Sequence, residues 1–255
     1  MGETSKLPDP SEQTFVSHLV ELRSRLLRAV VFVLVLFLAM APFANALYTT
    51  LAQPLLASLP QGSSMIATQV AAPFFTPFKF AFMFSLFVSI PFLLYQAWAF
   101  VAPGLYASER RVAFPVLVSS IVLFYCGLAF AYFVVFPWVL GYFMGSAPDG
   151  VTVMTDITSY LDFVMGMFFA FGMAFEVPVA TFIMVMIGVT TVDALAAKRK
   201  HIIVGAFVIG AIFTPPDVLS QFLLAIPIWL LFEAGLLAAR MVLKDKSDLA
   251  DTSPP

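Results

Sequence analysis

Charged side chains are scarce in this sequence. Asp, Glu, Lys and Arg make up 11% of its 255 residues, where a soluble domain has about 25%. Apolar residues reach 61%, against roughly 45–50% in a soluble domain. No soluble fold of this length has an interior large enough to hide that much apolar surface. A net charge of −2 leaves no basic field with which to hold nucleic acid. The single cysteine, Cys126, excludes an internal disulfide and reads as a small core or lipid-facing residue within an apolar run. Catalytic signatures are missing as well: there is no Gly-x-Ser-x-Gly, no His-Glu-x-x-His and no Gly-rich phosphate loop. His18 and His201 lie beside charged residues but without the further ligands a metal needs. The sequence therefore predicts no enzyme, no metal and no cofactor, and an intramembrane protease fails for want of a catalytic pair.

What the chain does contain is six apolar runs, at about residues 29–47, 78–101, 112–139, 160–189, 202–213 and 218–239. A helix needs about 20 apolar residues to cross a hydrocarbon core of about 30 Å. Five runs meet that length; the fifth, at 1.5 Å per residue, reaches only about 18 Å. The expectation is an all-α integral membrane protein with six transmembrane helices in one domain, residues 17–243. Flexible tails are expected at 1–16 and 244–255. Basic residues followed by residues 29–41 and then Ala44-Asn45-Ala46 imitate a cleavable signal. The run is nonetheless longer than a usual h-region, so it is read as a span.

Charge placement gives the orientation. Of the 13 Lys and Arg residues, all but Lys79 fall in the tails or in loops on one side, which the positive-inside rule assigns to the cytoplasm. Both termini are then cytoplasmic. The loop at 48–77 holds no charged residue and several prolines; its apolar pieces, 51–59 and 70–75, are too short to span and are expected as short interfacial helices. Pro91 and Pro178 are expected to bend the second and fourth spans. The third is expected to end at Pro137-Trp138. Asp217 is placed to cap the sixth span.

Just before the first span, Leu19, Leu22 and Leu26 share one helical stripe, while Glu21, Arg25 and Arg28 share another. Inside the spans, an ionisable group costs about 2.5–3.5 kcal/mol on insertion scales and normally faces protein or water. Glu176, two residues before Pro178, is the clear case; Gln221 and Glu233 are weaker ones. Glu176 is either a carboxyl hydrogen-bonded within the bundle or a functional contact for a partner helix or a polar groove. A proton-coupled small-solute carrier with Glu176 as its relay is one function such a group supports.

Four stretches together carry a family resemblance: HLVELRSRLL at 18–27, SIPFLLYQAWAFVAPGLYASERR at 89–111, FGMAFEVPVA at 171–180 and FTPPDVLSQFLLAIP at 213–227. In this order and spacing they resemble the TatC family, the receptor subunit of the twin-arginine protein translocase, over about residues 14–243. The resemblance implies a concave, glove-like six-helix bundle in the bacterial cytoplasmic (inner) membrane. Such a protein binds the twin-arginine signal peptides of folded precursors and recruits single-span TatA- and TatB-type subunits into an oligomeric complex in the lipid membrane. Export is then driven by the proton-motive force, and no nucleic acid is involved. Carried over by position, Glu21 and Glu109 would receive the signal's arginines, with Arg23 and Phe100 beside them and Pro54, Arg110 and Arg111 in support. Glu176 would be the intramembrane partner contact, joined at the outer end by Asp217 and Gln221. A guanidinium presents a planar fork that one carboxylate accepts two bonds from, so two arginines suit two carboxylates. The competing arrangement for Glu21 is a surface pair with Arg25 at i, i+4, worth about 0.3–0.5 kcal/mol.

Overall fold

The structure is a computed structural model that describes residues 10–58, 64–101, 110–146, 154–213 and 218–251. Among the described residues every regular element is helical. Five helical stretches are long and apolar enough to cross a membrane: Leu19–Ala57, Ala72–Phe100, Ala113–Gly145, Ile157–Met186 and Gln221–Met241.

Helix α1 (Pro10–Met40) passes through a 3-10 turn at Ala41–Phe43 into α2 (Ala44–Ser58). Pro42 lies within that turn, where its missing N–H interrupts the α-helical bonding. The expected tail at 1–16 is thus helical from Pro10, a residue well suited to open a helix because its fixed φ is already helical. Helix α2 takes in the apolar piece expected at the interface, but it is packed into the bundle: Leu51, Ala52 and Leu55 are buried, Leu55 completely.

Helix α3 (Ala72–Val101) continues unbroken through Pro77 and Pro91. Pro91 leaves the carbonyl four residues back, that of Phe87, without its helical donor, and the Tyr125 hydroxyl donates to that carbonyl at 3.1 Å. The third span corrects the sequence expectation at Pro137. Helix α4 (Arg110–Phe130) runs through a π-helical turn at Ala131–Val135 into α5 (Phe136–Gly145), with the Phe136 N–H bonded to the Ala131 carbonyl. The widened turn absorbs the proline, so the helix reaches Gly145 instead of ending near residue 139.

Helices α6 (Ile157–Phe175) and α7 (Val177–Met186) meet at Glu176, with Pro178 in the first turn of α7. This is the break expected in the fourth span. A short α8 (Val192–Ala197) and α9 (Arg199–Phe213) follow. Helix α9, at 15 residues, is about 22 Å long and is not among the five long apolar stretches. Helix α10 (Val218–Asp251) continues past the expected tail boundary at 244, where no proline or glycine occurs between 244 and Pro254.

Helix α1 packs along α3, α4 along α6, and α7 and α9 along α10. The main core gathers Leu55, Phe136, Leu161, Met167, Phe171 and Leu224; a second cluster joins Val185, Leu195, Phe232 and Leu236. Large apolar side chains also point outward, Leu38 at 69% exposure and Phe133 at 73%. That pattern suits lipid, which makes no demand for an outer polar face.

Candidate functional site

The polar stripe of α1 faces α3. Arg25 donates Nε and Nη2 to Oε1 of Glu21, at 2.9 and 2.6 Å, and Nη1 to the side-chain oxygen of Gln96 at 3.5 Å. Leu19, Leu22 and Leu26 are exposed on the opposite side. The i, i+4 pair weighed from the sequence is therefore present, and Arg25 occupies only one oxygen of the carboxylate. Glu21 keeps a side-chain exposure of 37%. Arg23 is exposed, and Phe100 is half-buried near the end of α3 that carries Gln96. Pro54 lies inside α2. Glu109 lies outside the described residues, as do the side chains of Arg110 and Arg111.

Deeper in the bundle, Glu176 stands at the α6–α7 break. Ser120 of α4 donates to its Oε2 at 2.5 Å. Its Oε1 is buried and has no hydrogen-bond partner among the described residues. Glu176 and Ser120 line a cavity of about 230 Å³ with Leu94, Trp98, Val179 and Ile183. One oxygen of Glu176 is held within the bundle by Ser120, and the residue lines a nearly apolar hollow.

The α9–α10 hairpin carries a third polar set. Arg199 forks onto Glu233, Nε to Oε1 at 2.5 Å and Nη2 to Oε2 at 2.8 Å. Arg240 reaches Asp193 at 3.9 Å. Glu233 therefore ties α9 to α10. The Gln221 side-chain amide donates to the Phe207 carbonyl at 2.8 Å, which fixes the other end of the same hairpin. Asp217 lies outside the described residues. No group of His, Cys, Asp and Glu that could hold a metal occurs among the described residues.

Two polar arrangements escaped the sequence reading. Lys79, the cation that broke the charge pattern, pairs with Asp162 of α6. Asp156 caps α6 through Oδ1, which accepts from the N–H groups of Thr158 and Ser159, both at 3.0 Å. Its Oδ2 accepts from the N–H and hydroxyl of Thr68, at 2.9 and 2.8 Å. A bridge between Ile66 and Asp156 joins the same two loops. These bonds, led by the Ser159 and Thr68 N–H groups, hold the Asp156 carboxyl well below the usual carboxylate range. Asp before Ile-Thr-Ser is a readable capping signal; the Thr68 half is long-range and is not.

Comparison with known proteins agrees with this architecture. The family model described as Sec-independent protein translocase protein (TatC) matches residues 17–227. A relative from Haemophilus influenzae, the Sec-independent protein translocase protein TatC, is 55% identical over 228 residues, 89% of each chain. The protein of the same name from Escherichia coli K12 is 55% identical over 89% of this chain and 88% of its own. That of Aquifex aeolicus is 36% identical over 91% and 97%. A crystal structure described as the twin arginine translocase receptor TatC superposes with a TM-score of 0.78 at 37% identity, over 88% of this chain and 98% of that one. On the extent of the family match, the identity to full-length relatives and the shared fold, the chain belongs to the TatC family.

Proposed function

We propose that this chain receives the arginine pair of a twin-arginine signal peptide on the carboxylates of Glu21 and Glu109. Its family membership over residues 17–227 carries the reading. The chain is a receptor subunit of the twin-arginine translocation system, a multi-pass protein of the bacterial inner membrane, and does no chemistry on its cargo. The relatives are translocase proteins, so nothing favours a small-solute carrier working through Glu176.

Glu21 is well suited to the task. It is partly exposed, its backbone is helical, and Arg25 engages one oxygen only. Arg23 and Phe100 flank the docking face, with Pro54, Arg110 and Arg111 in support. The apolar part of the signal then enters the hollow beside Glu176, where Oε1 offers an acceptor to an incoming donor. Single-span TatA- and TatB-type subunits gather there and at the hairpin end marked by Asp217 and Gln221, in an oligomeric complex. In this reading α9 is a short sixth crossing, both termini are cytoplasmic, residues 17–243 form one concave glove-like domain, and the bilayer thins locally beside α9.

The test uses purified protein and labelled peptides bearing Arg-Arg or Lys-Lys. Binding of the Arg-Arg peptide is expected to fall about tenfold or more in Glu21→Ala and in Glu109→Ala, since each removes a charge-assisted fork. Equal binding of the Lys-Lys peptide, or unchanged affinity in both variants, removes the assignment.

A further inference from the structure

The end of the bundle remote from Arg25 and Gln96 holds a cleft of about 610 Å³ where α1, α3 and the start of α6 meet. Its volume lies in the range of small-molecule sites. The walls are aromatic. Phe37 meets Phe82 edge-on at 5.6 Å between ring centroids, and Phe74 lies 4.9 Å from Phe78. Thr76 and Thr158, which also line the cleft, are hydrogen-bonded to each other at 3.0 Å. From Ala72 to Phe82 the α3 wall extends about 15 Å. The helices that frame it are among the long apolar stretches, so the medium around it is lipid.

Lys79 lines this cleft, and its partner Asp162 stands on α6. Their side chains are 46% and 51% exposed. A pair this exposed contributes little to stability, yet it sets a cation and an anion side by side at the only point where a basic residue departs from the charge pattern of the chain. An ammonium has three donors and a carboxylate about four acceptor sites, so neither partner is saturated by the other. A purely anionic headgroup gains from Lys79 and is repelled by Asp162. A headgroup with both signs gains from both.

We propose that the cleft binds a phospholipid with a phosphoethanolamine headgroup. Its phosphate lies on Lys79, its primary ammonium donates to Asp162, and one acyl chain lies along Phe37 and Phe82. Phosphocholine carries the same charges, but its quaternary nitrogen has no N–H to give Asp162. Phosphoglycerol leaves the Asp162 carboxylate facing an uncompensated anion.

The test is a titration of delipidated protein in detergent with phosphatidylethanolamine, phosphatidylcholine and phosphatidylglycerol of identical acyl chains, with bound lipid read by native mass spectrometry. The ethanolamine lipid is expected to bind about three- to tenfold more tightly than the other two, the range of one or two partly exposed polar contacts. Asp162→Asn should remove the preference, and Lys79→Gln, which takes away the phosphate contact common to the three lipids, should weaken binding of all of them. The double exchange Lys79→Asp with Asp162→Lys should keep it, which separates headgroup matching from damage to the fold. Equal binding of the three lipids by the unaltered protein overturns the proposal, and so does a preference that survives Asp162→Asn. Efficient cross-linking of a cysteine at Phe82 to a second copy of the chain in native membranes also overturns it, since the cleft is then covered by protein.

Discussion

Tyr125 on α4 donates its hydroxyl to the carbonyl of Phe87 on α3, the acceptor that Pro91 strips of its helical N–H. A proline inside a membrane span is tolerated when a neighbouring helix supplies the missing donor, and here the donor is a single side chain. Tyr125→Phe should lower the stability of the detergent-solubilised protein by about 1–3 kcal/mol, because it strands a buried acceptor. In a Pro91→Ala background, where the helix itself supplies the donor, the same substitution should cost less than about 0.5 kcal/mol. A thermal-unfolding double-mutant cycle measures the difference; equal losses in both backgrounds contradict this account.

Arg25 competes for the carboxylate that the signal peptide is proposed to use. Its two bonds both end on Oε1 of Glu21, in an i, i+4 pair worth about 0.3–0.5 kcal/mol. Removing it with Arg25→Gln should tighten binding of a twin-arginine peptide about twofold, while Glu21→Gln weakens it. Fluorescence anisotropy with a labelled peptide resolves the two directions. Weaker binding in Arg25→Gln means that the pair holds Glu21 in place and does not compete for it.

Asp156 makes a pH prediction with a fixed sign. Its folded-state pKa is depressed by bonds from Ser159, Thr68 and Thr158, below the unfolded value of about 3.9. Its contribution to stability is therefore fully present above about pH 4 and is lost as pH falls toward the depressed value. The unaltered protein should melt higher than Asp156→Asn at pH 7, and the gap should shrink between pH 4 and pH 3. A gap that does not change with pH means that the bonds to Thr68 and Ser159 do not depend on the carboxylate's charge.

Much of this fold was legible because membrane spans impose long apolar runs and one-sided charge. The runs at 78–101, 160–189 and 218–239 lie within or close to α3, α6 with α7, and α10. Proline was the poorest guide. Pro178 does mark a break, but Pro137 is absorbed by a π turn, and the carbonyl that Pro91 frees takes a hydroxyl from another helix. Neither rescue can be read from the residues beside the proline. The candidate site divides in the same way. Glu176 was conspicuous as an acid inside a span, whereas its donor Ser120 lies 56 residues away in the chain and is one serine among several. Lys79 stood out as an exception to the charge pattern, yet only the packing of α3 on α6 identifies Asp162 as its partner.

Glycine decides how closely the helices approach. A Cβ on Gly127 would lie 2.6 Å from the Phe171 carbonyl oxygen, and one on Gly235 would lie 2.7 Å from Pro178 Cα. Both obstacles are backbone, so neither can swing aside as a side chain would. Gly127→Ala should push α4 from α6, and Gly235→Ala should push α10 from α7, each at a cost of about 1–3 kcal/mol. Gly141 and Gly205 have nothing within 4 Å of the same position, and alanine there should be neutral or stabilising by up to about 1 kcal/mol through helix propensity. Thermal unfolding of the four variants in one detergent should separate them into two pairs. Gly235→Ala should also weaken capture of the signal's apolar part, because α7 carries Val179 and Ile183 of the hollow beside Glu176. Gly127→Ala should do the same through α4, which carries Ser120. Photo-cross-linking to a bound signal peptide from Ala97, which also lines the hollow, reads that second effect, and undiminished capture in both variants means that the hollow does not depend on these close approaches.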